Sequence, residues 1–320
     1  MTRKRQVSSL FAAAILVCCF DTAQAASRNC TADEKALANQ QLMVIAQDSR
    51  LQEKLAAYHA PLGLPEVLAT GNEQVLYQGG YVMAHDVDLM TSLWVSYQLT
   101  RDDVLNARGK DRVNCFRADP RLKRGQKAST TDYSEPIFDQ GHMANDADLK
   151  DNLVEQINSY VMSNMSPQFC RFNRGIWLSM ESLTRQWAEQ YGQIYVTTGA
   201  IFDRDGVPGR DPDANAARMQ SNNGKARVAV PSHYYKTFLR QDGSDLRAIS
   251  FVFENSNTSH GSTWGDVKPA VLDAIRPIDL IEDHASVTLY PSWQGTVQQS
   301  RAGENWDFST NDSNFEASCK

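Results

Sequence analysis

The 320-residue chain is most informative at first for what it lacks. No CxxC pair occurs, so zinc ribbons and thioredoxin-like redox chemistry have no ligand set or dithiol to build on. GxSxG and Walker-type glycine loops are missing too, which removes the nucleophile-elbow hydrolases and the P-loop NTPases. No apolar run reaches the ~20 residues that span a bilayer, and there is no repeat, coiled coil or low-complexity tract. Histidine is scarce, at six, and no two fall at a metal-ligand spacing. Positive charge is also short, with 32 Lys and Arg against 38 Asp and Glu and a formal net charge of -6. That balance weighs against a tight nucleic-acid coat, although a local basic surface is what meets phosphate.

What is present begins with a leader. Arg3, Lys4 and Arg5, the apolar residues 7–20 and Ala23-Gln24-Ala25 read as a cleavable secretory signal over residues 1–25. Val17 before Cys18 argues against a lipoprotein signal. The expectation is an exported protein, periplasmic or secreted, without stable membrane association. Cleavage would remove three positive charges and Asp21, making the protein more acidic. It would also leave Cys30, Cys115, Cys170 and Cys319, an even set that favours two disulfides in an oxidising compartment.

Thr31-Ala32-Asp33-Glu34 has the form of a capping box and predicts a helix to about His59, ended by Pro61 and Pro65. Alternating apolar residues around Gly79-Gly80 predict antiparallel strands within residues 74–100. Further strands are expected at 194–201, 226–230, 234–239 and 248–253, a long surface loop at 203–225 and a helix at 269–283. Strands and helices mix without βαβ regularity, so the fold class is α+β.

The chemistry concentrates in three short stretches: Asp139-Gln140-Gly141-His142, Ser163-Asn164-Met165-Ser166-Pro167-Gln168, and Asn173 through Trp177 to Glu181. A neutral imidazole at His142 is suited to take a proton from water, with Asp139 expected to orient the ring. Ile176, Met180, Leu183 and Trp187 recur at helical spacing, which puts Asn173 near the first turn of a helix and Glu181 about 12 Å further along it. At that distance the two do not share one ion directly. An Mg²⁺ held by the Asn173 amide oxygen, with Glu181 reaching it through a bound water, resolves the spacing. Plainer roles stand beside these: a structurally hydrogen-bonded histidine at 142 and a helix N-cap at Asn173.

Taken together, the stretches resemble the DNA/RNA non-specific endonuclease family of ββα-metal nucleases. That family carries an Asp-Arg-Gly-His box, then Ser-Asn-x-x-Pro-Gln, then Asn-x-x-x-Trp leading into a glutamate-bearing helix. Leu93 to Thr100, Arg112 with Phe116 and Asp119-Pro120, Tyr195 to Gly199, and Val230 to Lys236 fit the same pattern, so the likeness spans residues 75–295. It implies a His-Me finger fold with a mostly antiparallel sheet flanked by helices, Mg²⁺ dependence with Mn²⁺ as a substitute, and a DNA or RNA substrate. In that frame Arg112 neutralises charge on phosphorus, Asn164 positions the site and Asp139 supports it.

Gln140 departs from the pattern, standing where the family has arginine, and leaves the phosphate site short of a cation. Arg174 is the nearby replacement, yet it would point away from the metal if it and Asn173 were both helical. The basic run 101–127 offers further phosphate contacts or a solvated loop. By position, Cys30 is expected to join Cys319, and Cys115 to join Cys170. The organisation is then a signal at 1–25, a helical extension at 26–70, the nuclease domain at 71–300 and a polar tail at 301–320. A small-diester phosphodiesterase and a binding protein without catalysis are the alternatives. A homodimer is carried as one option.

Overall fold

The computed structural model describes residues 27–319 apart from 69–70, 221–225, 294–297, 300–303, 311 and 318. The expected signal lies outside the described residues. In chain order the elements that frame the site are helices α1 (Ala32–Gln47) and α2 (Ser49–His59), strands β1 (Glu73–Tyr77), β2 (Val82–Asp86) and β3 (Thr91–Thr100), then β4 (Phe138–His142) and β5 (Met165–Phe169). Helix α3 (Leu178–Tyr191) follows, then β6 (Gln193–Ile201), β7 (His233–Asp242), β8 (Asp245–Glu254), α4 (Trp264–Asp273) and α5 (Ile278–Ala285).

The main sheet runs β8-β7-β6-β3-β2-β1, antiparallel throughout, and Gln298–Gln299 adds a short parallel strand beside β8. Turns close it where the sequence permits them. Gln78 N–H donates to the Tyr81 carbonyl across Gly79-Gly80, and the two-residue β7-β8 turn places Gly243 at φ 61°, a left-handed value that glycine adopts at no steric cost.

Both faces of the sheet are covered. Tyr234, Lys236 and Phe238 of β7 meet Trp177 and Trp187 on the α3 side, while the intervening Thr237 hydrogen-bonds to Tyr290 on the other. Trp177 and Trp187 are wholly buried, and truncating side chains of that size costs about 3–5 kcal/mol. Helix α3 is thereby held rigidly against β7, and so is the carboxylate it carries. Among the described residues no helix is long and apolar enough to cross a membrane.

Two expected helices are each divided. The run predicted to His59 breaks at Asp48, whose N–H donates to the Ile45 carbonyl to close α1 while its carboxylate accepts from Leu51 N to open α2. One aspartate serves as both caps. The helix expected at 269–283 starts earlier, at a Thr263/Asp266 capping box, and Pro277 separates α4 from α5. The loop expected at 203–225 contains a short strand, Arg218–Gln220, paired with Ala226–Ala229.

The disulfide expectation is overturned: Cys30 joins Cys115 and Cys170 joins Cys319. Ser27–Asn29 lies parallel to Arg112–Asn114, and Cys30 N–H donates to the Asn114 carbonyl, so Cys30 arrives beside Cys115. Peptide mapping without reductant should recover these two cross-links. The bridges close loops of 85 and 149 residues, so replacing either pair with serine should lower the urea unfolding free energy by roughly 4–5 kcal/mol in the chain-entropy account. A Cys30–Cys319 peptide would contradict this connectivity.

Candidate active site

Strands β4 and β5 form a separate antiparallel ribbon in which Asp139 faces Gln168 and His142 faces Met165, and a wide turn, Phe172–Trp177, leads from it into α3. Two strands and a helix thus converge on a cavity of about 650 Å³, lined among others by Arg112, Asp139, Gln140, His142, Asp146, Lys150, Asn173, Arg174, Glu181 and Arg185.

His142 closes β4 at 7% exposure. Its ring stands edge-on to Tyr160, with centroids 4.7 Å apart, and its Nε2 is buried without a hydrogen-bond partner. Burial pulls its pKa down to about 4; Asp146 opposes that shift and Arg112 reinforces it. The imidazole is therefore neutral near pH 7 and able to accept a proton. Trp177 Nε1 donates to the His142 carbonyl, which pins the end of the strand to the turn before α3.

Asn164 is fully buried and lies outside the cavity lining. Its Oδ1 accepts from Ala144 N at 2.9 Å, and its Nδ2 donates to the carbonyls of Ala144 and Ser159 at 2.9 and 2.8 Å. It fastens the chain just after His142 to the end of the short helix Leu153–Ser159 and acts on the site through the backbone.

Asp139 does not orient His142, as the sequence spacing suggested. Its carboxylate takes both Arg174 Nε and Nη2 at 2.8 Å and Asn173 Nδ2 at 3.0 Å. Accepting from the Asn173 amide nitrogen turns the amide oxygen away as the acceptor end, the end a hard cation requires. The expectation that Arg174 points away also fails. The Phe172–Trp177 segment kinks at Gly175, which has non-helical φ -107° and ψ -106°, and Asn173 and Arg174 both line the cavity beside Gln140.

Arg112 is half exposed, with Nε 3.1 Å from Asp146 Oδ2 and 2.7 Å from the Tyr160 hydroxyl, which itself donates to Asp146 at 2.9 Å. Glu181 is 9% exposed, and burial raises its pKa. Lys236 and Arg185 oppose that rise; Lys236 is wholly buried, donating to Thr198 Oγ1 with Nζ 4.5 Å from the Trp177 ring centre. Arg185 pairs with Asp148 at 3.1 Å.

Asp146, Tyr160, Lys150 and Arg185 escaped the sequence reading. Two of them carried a signal in their spacing, since Asp146 follows His142 by four residues and Arg185 follows Glu181 by one helical turn. Most of the basic run proves structural. Arg117 is buried on Asn39, Asn158 and two carbonyls, Arg121 pairs with Asp119 at 2.6 Å, and Lys127 donates to the Asp119 carbonyl. Of that run, only Arg112 lines the cavity.

The donor set suits a hard, largely hydrated cation. Its lining offers the amides of Gln140, Asn145 and Asn173 and the carboxylates of Asp139, Asp146 and Glu181, with a single imidazole and no sulfur, oxygen donors that fit a divalent cation. A neutral base, oxygen donors for a cation and several arginines in one cavity are the equipment for hydrolysing a phosphate diester.

Residues 60–284 match the DNA/RNA non-specific endonuclease family, and the chain belongs to it. It is 29% identical over 198 residues to the mitochondrial endonuclease G of Homo sapiens, an alignment covering 62% of this chain and 63% of that protein. Nuclease C1 of Cunninghamella echinulata var. echinulata is 30% identical over 183 residues, 56% of this chain and 71% of that one. The matched part thus spans somewhat under two thirds of the endonuclease G sequence. A crystal structure of the EndoG/EndoGI complex superposes with a TM-score of 0.60 at 22% identity, covering 78% of this chain and 94% of that chain, and shows the fold.

The ribbon itself is testable at Gly141. A Cβ there would fall 2.0 Å from Gln168 Oε1 and 2.6 Å from its Cγ, and the Gln168 side chain is wholly buried. Gly141→Ala should cost about 1–3 kcal/mol in chemical denaturation through overpacking and lower turnover by moving His142. Unchanged stability would mean the two strands are not packed this closely.

Proposed function

We propose that this chain is an exported, Mg²⁺-dependent endonuclease that cuts DNA, RNA or both with little base preference. The observation that carries the reading is the buried, neutral His142, its Nε2 unpartnered, in the same cavity as Asn173, Glu181 and Arg112. His142 takes a proton from water as the oxygen attacks phosphorus and the phosphorus–oxygen bond to the departing nucleoside breaks. Asn173, and Glu181 through a water, would hold the divalent cation, which would supply neutralisation of the phosphate charge. Arg112, fixed by Asp146 and Tyr160, meets the charge building on the phosphate. Arg174 contacts the neighbouring phosphate, and Gln140 lines the cavity beside it. Two disulfides fit an oxidising compartment and hence export.

Incubating the purified protein with plasmid DNA, total RNA and a small diester, with Mg²⁺ or with chelator, tests the whole reading. Cleavage of the polymers that chelator abolishes is expected; cleavage of the small diester alone, or binding without cleavage, would replace it. His142→Ala should slow hydrolysis by on the order of a hundredfold or more in a folded protein. Because the His142 pKa is lowered, the base form is present above about pH 4, so kcat/KM should fall only as pH drops through about 4. An acid limb near 6.5 would contradict the burial of the base.

Arg174 bears the phosphate contact that Gln140 does not make, although it shares its charge with Asp139. Arg174→Ala should raise KM most at low salt, with the effect shrinking as ionic strength grows, while Gln140→Arg should change KM little. A salt-independent KM in both variants would place the substrate groove elsewhere.

A further inference from the structure

The wide turn that presents Asn173 and Arg174 is completed from the far end of the chain. Leu178 N–H donates to the Gly175 carbonyl, and the Arg174 carbonyl instead accepts from Glu316 N at 2.7 Å. Gly175 sits directly beneath the same residue, since a Cβ on it would meet Glu316 Cγ at 3.0 Å. Both oxygens of the Glu316 carboxylate are taken by neutral donors, His260 N at 2.7 Å and Ser259 Oγ at 2.6 Å. Beside it, Phe315 is buried with its N–H on the Ser262 carbonyl, and Cys319 N–H donates to the Glu316 carbonyl. Cys319 is in turn bonded to Cys170, three residues before Asn173. The C-terminal segment thus grips the turn on both sides of the proposed cation ligand.

We propose that Glu316 is a positioning residue of the active site, holding the Asn173–Arg174 turn against the cavity, with the Cys170–Cys319 bridge as its tether. This rests on the nuclease reading for its consequence and on geometry alone for the placement. The chain kinks at Gly175, and the Glu316 main-chain N–H on the Arg174 carbonyl, held in place by the carboxylate's bonds to Ser259 and His260, supports the kink from outside the helix and keeps it from straightening to ordinary α-helical winding. Such winding would swing Asn173 and Arg174 out of register with Asp139. Removing the bridge frees the segment that carries Glu316, which makes the site's geometry sensitive to reduction.

The test compares Glu316→Ala, Glu316→Gln and Cys319→Ser in the full chain. Mn²⁺ binding by the free protein is followed by electron paramagnetic resonance, together with the Mg²⁺ dependence of plasmid cleavage and hydrogen exchange of peptides covering residues 171–178. Glu316→Ala should weaken Mn²⁺ binding about tenfold, raise the Mg²⁺ needed for half-maximal rate by a similar factor and speed exchange in that turn, leaving exchange in β1, β2 and β3 unchanged. Glu316→Gln keeps the shape, its amide oxygen accepting from His260 N and its amide nitrogen donating to Ser259 Oγ, and should restore all three; Cys319→Ser should reproduce the alanine defect in part. Wild-type Mn²⁺ affinity and wild-type exchange in Glu316→Ala would overturn the proposal, as would a glutamine variant as impaired as the alanine one. A wild-type protein that neither binds Mn²⁺ nor cleaves refutes the nuclease reading instead, and the exchange of the turn still decides the placement.

Discussion

The arrangement depends on one carboxylate. Asp139, on the strand that ends at His142, accepts simultaneously from Asn173 and from Arg174 on the turn that opens α3. His142 sits at the end of that strand, while Asn173 lies in the turn and Glu181 on the helix beyond it, so this bridge registers one set against the other. It also decides chemistry, because an Asn173 amide whose nitrogen is engaged presents its oxygen. A charge-assisted contact of this kind is about twice as strong as a neutral one, and the bidentate arginine adds direction.

The three arginines of the cavity are all paired with carboxylates. Arg112 is on Asp146, Arg174 on Asp139 and Arg185 on Asp148. Pairing lets guanidinium groups be held in fixed orientations beside a buried, uncharged base without the cost of an uncompensated buried charge, which runs to several kcal/mol. It also dilutes their pull on any anion that enters the cavity. Beneath them Lys236 and Glu181 oppose one another's desolvation without sharing a salt bridge, so the floor of the site is balanced in charge as well as rigid.

Much of this was legible in the sequence wherever a property is local. The strands around Gly79-Gly80, the apolar stripe of α3 and the capping box at Thr31 were legible because period and cap chemistry involve residues a few positions apart. The three short stretches named His142, Asn173 and Glu181, the family resemblance added Arg112, and the cavity gathers all four. Asp48 and Pro277 show where local reading failed by too coarse a grain, since a cap or a proline divides a helix inside a continuous pattern.

Only the tertiary structure decided which partner each group took. Asp139 lies three residues from His142, yet its neighbours in space are 34 and 35 positions away. The cysteines pair according to where the first strand and the last segment dock, which sequence position does not encode. Arg117 and Arg121 read as a basic surface and are buried hydrogen-bond anchors. Arg174 faces the cavity where the backbone kinks at Gly175, and there its carbonyl accepts from Glu316 N across the fold. Spacing along the chain determines which side chains a helix or strand presents on one face; the direction of a side chain on an irregular turn, and the choice among distant partners, follow from packing alone.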